Sequence, residues 1–167
     1  MKRCARALLI SCITALAASA ADAGTVTVSF VNAPRFSDAG ATRWDEGANL
    51  RALARHLEAL GQRHLPPEQV LKVEILDVDL AGTVRPSRQA GRDLRIVRGG
   101  ADWPRISLRY TLESGDKPLL SGEESLADMN YSRGFVGERG SDPLHYEKNM
   151  LDVWFKARFL ERRGAGD

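Results

Sequence analysis

The sequence predicts an α+β fold, a two-layer sandwich in which two helices cover one face of a mostly antiparallel sheet of about four strands. Three observations lead to this prediction. Four segments alternate apolar and polar residues, which is typical of strands, and two longer segments carry apolar residues at helical spacing. The segments follow the order β-α-β-β-β-α, and 167 residues with 43% hydrophobic and 28% charged composition suit one globular domain.

The first strand and the first helix are separated by a loop rich in Pro, Ser, Asp and Gly. Alternation of valine or phenylalanine with threonine or serine predicts a half-buried strand over 25–31. Leucines at a spacing of three to four residues predict a helix over 45–64, and Pro66 and Pro67 end it. A crossover of this length favours placing the first two strands in one sheet.

The second strand is predicted over 70–80, and its apolar face switches after Ile75, which predicts a bulge at that point. Residues 81–92 are predicted to form a loop, with a short extra strand over 94–97 as an open alternative.

A hairpin follows, with strands over 106–112 and 118–126 joined by the turn Ser114–Lys117. The last helix is predicted to begin at Ser141-Asp142-Pro143, with proline at the first helical position, and to end near residue 160.

The first 23 residues have the order of a secretory signal peptide: Lys2, Arg3 and Arg6, then an apolar run over 7–18, then two Ala-x-Ala patterns. Cleavage after Ala20 or after Ala23 fits this pattern. We therefore expect a periplasmic or secreted protein with one domain over 24–163 and a disordered tail over 164–167.

A lipid anchor is the alternative to cleavage at the Ala-x-Ala patterns. Leu9-Ile10-Ser11-Cys12 resembles a lipoprotein processing site, which would leave Cys12 as a lipid-bearing N-terminus. The apolar stretch before Cys12 is only about a turn and a half long, and the apolar run continues past it, which favours the signal peptide.

Removal of the leader changes the composition of the mature chain. It removes three of the 24 basic and one of the 22 acidic residues, leaving 21 of each, and it removes both cysteines. Balanced charge gives no general case for binding to nucleic acid or to an anionic membrane, and a cysteine-free chain has no disulfide or thiolate metal site. No apolar stretch reaches about 18 residues, so no transmembrane segment is expected in the mature chain.

Short motifs spread from the first strand to the last helix carry a resemblance to a known family: VSFVN (28–32), DVDLAG (77–82), DWPR (102–105), DMNY (128–131) and SDPL (141–144), with YEK (146–148) and WF (154–155). On these motifs the chain resembles domain-of-unknown-function family 3016, an uncharacterised family of secreted bacterial proteins. The resemblance implies an envelope location and a single domain. It implies no activity and no catalytic residues, because none is assigned in the family.

The main candidate binding residues are Trp103, Arg105, Asp128, Asn130 and Tyr131. Aromatic side chains beside polar groups on loops are typical of ligand pockets and of protein interfaces. The alternative is structural: Trp103 closes the end of the core, and Asp128 and Asn130 bond to nearby backbone.

Asp77 and Asp79 are the second candidate group. They begin like a calcium loop, but Ala81 and Arg88 stand where ligands are needed, so no metal site is predicted. We expect both carboxylates on one strand face, either paired with Arg105 or Arg109, or forming a polar ligand site.

Residues 83–101 contain five arginines and one acid, Asp93. Arg85, Arg88 and Arg92 are therefore candidate ligands for an anionic envelope component, because guanidinium groups bind phosphate and carboxylate as forks. The alternative is a solvated loop whose arginines pair with carboxylates at 113, 123, 124 and 128.

The last helix has a wide apolar arc, so it either lies in a deep groove of its own fold or docks a second copy as a homodimer. The function indicated by the sequence is non-catalytic binding of a protein or envelope component, with no cofactor. The alternative is a small cofactor-free hydrolase that uses His145 with a nearby carboxylate and hydroxyl.

Overall fold

A computed structural model describes residues 23–89, 91–131 and 142–161. In chain order, the elements are β1 (Thr25–Phe30), α1 (Arg43–His64), β2 (Gln69–Asp79), β3 (Thr83–Ser87), β4 (Arg92–Ile96), β5 (Arg105–Ser114), β6 (Lys117–Ala127) and α2 (His145–Phe155). A 3-10 turn over Ala33–Arg35 follows β1, and a π-helical turn over Lys156–Leu160 extends α2.

The main sheet has four strands in the order β1-β2-β5-β6. β1 runs parallel to β2, and the β2–β5 and β5–β6 pairs are antiparallel. The helical connection through α1 makes the parallel pair possible, and the tight turn at 115–116 makes the β5–β6 hairpin. The predicted α+β class, with two helices and a mostly antiparallel four-stranded sheet, is confirmed.

The bulge predicted in β2 is present. The register of β2 against β5 shifts between Ile75 and Asp77, so the buried positions pass from Val73 and Ile75 to Val78. The extra residue keeps apolar side chains on the core face of a strand of eleven residues.

The predicted loop over 81–92 is wrong, because half of it belongs to a second, two-stranded sheet. β3 pairs antiparallel with β4, and the extra strand considered over 94–97 forms as Arg92–Ile96. Neither strand shows the clear alternation of a half-buried strand, since β3 contains an arginine followed by a proline and β4 contains two arginines and an aspartate. The position of the β3–β4 hairpin depends instead on side-chain contacts to the main body, described below.

One core joins the main sheet to both helices. A single cluster of buried side chains comes from both helices and from the inward faces of β2 and β5. It includes Leu53 and Leu57 of α1, Leu151 and Phe155 of α2, Leu71 and Val73 of β2, and Ile106 and Leu108 of β5. The two helices are also linked at the surface, where His56 Nε2 lies 2.7 Å from Asp152 Oδ1.

The two helices begin at different places from those predicted. α1 begins two residues early, at Arg43, because the hydroxyl of Thr42 accepts a hydrogen bond from the backbone N–H of Asp45 at 3.1 Å and caps it. α2 begins at His145, so Pro143 is not its first residue as predicted. Asp142 instead caps the preceding turn, because its carboxylate accepts from the N–H of Leu144.

The wide apolar arc of α2 is mostly used inside the fold. Met150, Leu151, Trp154 and Phe155 are buried, and Val153 stays 62% exposed. This burial supports the groove interpretation of the arc, and a homodimer through α2 stays a prediction. In the part of the chain that the structure describes, no helix is both long and apolar enough to cross a membrane. Residues 1–22 of the predicted signal peptide (1–23) and the predicted tail (164–167) lie outside the described residues.

Candidate binding surface

The face of the main sheet opposite the core is polar, and we call it the outer face. The alternation of each strand places on it Thr27 and Ser29 of β1, Lys72, Glu74, Asp77 and Asp79 of β2, Arg105, Ser107, Arg109 and Thr111 of β5, and Ser121, Glu123 and Ser125 of β6. Glu113 joins it near the end of β5, where Lys72 Nζ donates to its carboxylate at 2.7 Å.

Ion pairs across neighbouring strands order the middle of the outer face. Arg109 donates to Glu123 on one side at 3.1 Å and to Glu74 on the other at 3.0 Å. The hydrogen bond and charge of Glu123, together with those of Glu74, raise the pKa of Arg109 above its ordinary value. Because these pairs are exposed, each contributes little to stability, and their main effect is to fix side-chain positions.

A shallow concavity of about 350 Å³ lies over β1, β2 and β5 on this face. Hydroxyl groups of β1 and β5 and the charged groups of β2 and β5 line it, among them Thr27, Ser29, Lys72, Glu74, Arg109 and Thr111. The polar groups of this surface can form hydrogen bonds and ion pairs with a polar partner.

Trp103 and Arg105 lie together at the end of the outer face where β5 begins. The guanidinium carbon of Arg105 is 4.9 Å from the centre of the Trp103 ring, and Arg105 also donates to Asp79 at 2.8 Å. Trp103 is half-buried and Arg105 is exposed. The cation–π contact and the ion pair therefore hold a flat aromatic and guanidinium surface in one orientation.

Tyr131, a predicted binding residue, is buried and structural. Its hydroxyl donates to Asp102 at 2.6 Å and accepts from the backbone N–H of Gly99 at 3.1 Å, and its ring packs edge-on against Tyr146. Burial, and then the hydrogen bond to Asp102, raise the pKa of Tyr131 to about 12. The structure thus does not bring Tyr131 to the surface beside Trp103.

Asp128 holds the turn that follows β6. Its carboxylate accepts from the backbone N–H of Asn130 at 3.0 Å, and its own N–H donates to the carbonyl of Pro104 at 3.4 Å. This matches the structural alternative for Asp128. Asn130 itself is exposed at the tip of the turn.

Asp77 and Asp79 share the outer face, as expected, but they have different partners. Asp79 pairs with Arg105, whereas Asp77 accepts from the backbone N–H and the hydroxyl of Ser37, both at 2.7 Å. Arg109 pairs with neither. Among the described residues, no group of three or more His, Cys, Asp or Glu residues is placed to hold a metal ion.

The candidate anion-binding arginines lie on the β3–β4 hairpin. Arg85 and Arg88 are exposed, and the backbone of Arg92 pairs with Ser87. The carboxylates proposed as their partners bind elsewhere: Glu113 to Lys72, Glu123 to Arg109 and Glu124 to Arg158.

A cluster of one buried and two half-buried titratable groups was not predicted from the sequence. Glu147 of α2 is only 1% exposed, and its Oε1 accepts from the backbone N–H of Ala81 at 2.8 Å. Near it, Arg95 of β4 donates to both carboxylate oxygens of Asp38 at 2.8 and 2.9 Å. The available signal was Glu147 itself, since it lies three residues after Leu144 and three before Met150, on the apolar side of its helix.

The carboxyl group of Glu147 is only partly satisfied. Its Oε2 has no hydrogen-bond partner within the described residues. Burial raises the pKa of Glu147 above its ordinary value, against the lowering effects of the Ala81 N–H and of the charges on Arg95 and His145. This group stabilises the junction between α2 and the end of β2 best when it is neutral.

His145, the centre of the alternative hydrolase, is held by backbone. Its Nδ1 lies 2.9 Å from the carbonyl oxygen of Asp142, whose carboxylate accepts from Lys148 and from the N–H of Leu144. Burial acts to raise the pKa of Asp142, but the bonds from Lys148 and Leu144 lower it overall. A triad acid orients its histidine with a carboxylate that stabilises the imidazolium, and a carbonyl supplies no such charge. Ser141 lies outside the described residues.

Comparison with known proteins identifies the family. The family model described as "protein of unknown function (DUF3016)" matches residues 24–157, about four-fifths of the chain. The chain belongs to the DUF3016 family. This confirms the resemblance drawn from the short motifs, and the match spans every element from β1 to α2. No curated protein and no solved structure matches the chain.

Proposed function

We propose that this DUF3016 protein is an exported, non-catalytic domain that binds a protein or another component of the cell envelope. The leader supports export: its positive residues, short apolar run and Ala-x-Ala patterns have the order of a signal peptide. The polar outer face supports binding, because the described contacts there are surface ion pairs and hydrogen bonds.

One observation carries the proposal of where the partner binds: the stack of Arg105 on Trp103. Tryptophan and arginine are the residues that most often dominate the affinity of protein interfaces. Here both are held before binding by Asp79 and by each other, so little side-chain entropy is lost when a partner covers them. The partner would then extend along β5 over Ser107 and Arg109.

Site-specific crosslinking in the cells that naturally produce the protein tests this proposal. A photo-reactive residue replaces Ser125, which is exposed on the outer face opposite Ser107. The control position is Arg51, which is exposed on α1. We expect a specific adduct from position 125 only.

Two substitutions then link the adduct to the proposed centre. Trp103→Ala and, separately, Arg105→Ala should reduce the adduct strongly, because a central interface residue contributes about 2 kcal/mol or more, roughly thirtyfold in affinity. Trp44→Ala is the matched control, since Trp44 is 81% exposed at the start of α1. Equal adducts at both positions, or an adduct that survives both substitutions in a folded protein, would contradict the proposal.

A further inference from the structure

The β3–β4 hairpin is fixed to the main body through one of its two faces. Nη1 and Nη2 of Arg95 form a fork on the carboxylate of Asp38, and Nη1 also donates to the carbonyls of Leu80 and Ala81 at 3.4 and 3.3 Å. At its base, the N–H of Gly82 donates to the carbonyl of Asp102 at 2.8 Å. The face that carries Arg95 is therefore the face toward the body.

The register places the charges of the hairpin unequally on its two faces. Val84 pairs with Arg95 and Pro86 with Asp93, so these four residues share the face toward the body. Arg85 pairs with Leu94 and lies on the opposite face, because successive pairs alternate between the faces of a two-stranded sheet. Asp93 is the only acidic residue in 83–96, so the acid of the hairpin is on the side away from Arg85.

Among the described residues of the hairpin, the outward face thus carries positive charge without an acidic residue on the same face. Arg85 is exposed, and Arg88 is exposed in the turn that follows β3. Basic side chains at and near the tip of an exposed hairpin fit the surface of an anionic membrane, where guanidinium groups bind phosphate.

We propose that the outward face of the β3–β4 hairpin, centred on Arg85 and Arg88, binds the anionic phospholipid headgroups of a membrane surface. This concerns a surface separate from the outer face and does not rest on the proposed function. A flat, negatively charged surface fits an exposed tip better than a peptide does, because the concavity described above lies on the main sheet and not on the hairpin. The attraction is electrostatic and therefore falls with salt.

Vesicle co-sedimentation of the purified protein tests the proposal. One set of vesicles is pure phosphatidylcholine and the other contains a third phosphatidylglycerol. We expect binding to the anionic set only, and a loss of about fivefold for each arginine removed, hence roughly twenty-five-fold for the double variant Arg85→Gln/Arg88→Gln. Raising the salt to about 1 M should abolish the difference between the two sets of vesicles.

The matched control is Arg51→Gln/Arg55→Gln, which removes two exposed arginines from α1 and should leave binding unchanged. Every variant must have the same N-terminus, checked by intact mass, and the same unfolding midpoint. Differences in vesicle binding then do not come from differences in leader processing or in folding. Equal binding to both vesicle sets, or equal losses in the two double variants, would overturn the proposal. Binding to inorganic polyphosphate in solution without binding to anionic vesicles would also overturn it, and would indicate a soluble polyanion.

Discussion

Glu147 is the residue at which burial and charge conflict most directly. It lies among apolar side chains at the start of α2, accepts one hydrogen bond from Ala81, and has one oxygen without a described partner. An ionised carboxylate in this position loses its hydration, and neutral backbone N–H groups replace only part of it. The positive charge of Arg95, which favours the ionised form, is already shared with Asp38.

This arrangement predicts how stability depends on pH. Because folding raises the pKa of Glu147, the folded state binds its proton more tightly than the unfolded state does. The contribution of Glu147 to stability is therefore complete below its unfolded pKa and is lost as the pH rises through its folded pKa. Glu147→Gln should be as stable as the wild type in acid and more stable at neutral pH.

The measurement is the free energy of unfolding by urea at a series of pH values for the wild type, Glu147→Gln and a control. Glu68→Gln is a suitable control, because Glu68 is exposed in the turn before β2. The difference between Glu147→Gln and wild type should grow with pH, whereas the control curve should stay parallel to the wild-type curve. A constant difference across pH would mean that Glu147 does not change its proton affinity on folding.

The sequence shows Glu147 on the apolar side of its helix but not what it meets there. Its partner, Ala81, is 66 residues away, and the contact depends on how the end of β2 passes the start of α2. Tyr131 is a similar case. The sequence shows that Tyr131 lies next to turns, but its burial depends on Asp102, Gly99 and Tyr146, which come from two separate segments.

At the scale of elements, α1 contains two glycines with opposite surroundings. A Cβ at Gly61 would overlap Cγ2 of Val26 on β1, so the helix approaches the strand closely only because this residue has no side chain. A Cβ at Gly47 would meet only the end of the Arg51 side chain, 3.2 Å from its Nη1.

The two alanine substitutions should therefore change stability in opposite directions. Both gain about 1 kcal/mol of helix propensity. Gly47→Ala should keep most of this gain, since Arg51 can move. Gly61→Ala should be destabilised by about 1–2 kcal/mol overall, because forcing α1 away from β1 disturbs a packed core. Equilibrium denaturation of the two variants beside the wild type measures both effects, and a stabilised Gly61→Ala would contradict the close approach.

Elements with strong periodicity were predictable, and those held by distant contacts were not. The bulge in β2 followed from a switch of apolar face at Ile75, and the β5–β6 hairpin from two alternating segments around a turn. The β3–β4 hairpin has no such pattern and depends on the fork of Arg95 on Asp38, 57 residues away. The predicted start of α2 was wrong, because the carboxylate of Asp142 caps the turn before the helix and not the helix itself.

At the scale of the whole molecule, the strand period explains which part of the candidate site could be predicted. Asp77 and Asp79 were expected either to pair with Arg105 or Arg109 on the facing strand or to form a ligand site, and Asp79 does pair with Arg105. The outer face then extends this pair into a continuous polar surface with Trp103 at one end. Asp128 and Tyr131 were grouped with Trp103 by their proximity to turns, which does not decide whether a side chain faces solvent or the core.

The proposal that this surface works outside the cytosol depends on the leader, and this leads to the last prediction. We expect the protein recovered from cells to begin at Ala21 or Gly24, because the signal-peptide order places small residues at both sites. The first described hydrogen bond of the domain is donated by the N–H of Gly24 to the carbonyl of Leu65, and β1 begins one residue later. Either cleavage site keeps Gly24 and the whole of β1.

Intact mass and N-terminal sequencing of the protein from separate cell fractions give the measurement. Substituting lysine at both Ala18 and Ala20, and in a second variant at both Ala21 and Ala23, distinguishes the two sites, because the protease requires small residues there. Cys12→Ser is the control for lipidation and should leave the mass of the mature chain unchanged, since cleavage after Ala20 or Ala23 removes Cys12. A full-length chain that begins at Met1 and stays in the cytosol would contradict export, and a mature chain beginning at a lipid-modified Cys12 would show that the anchor alternative is correct.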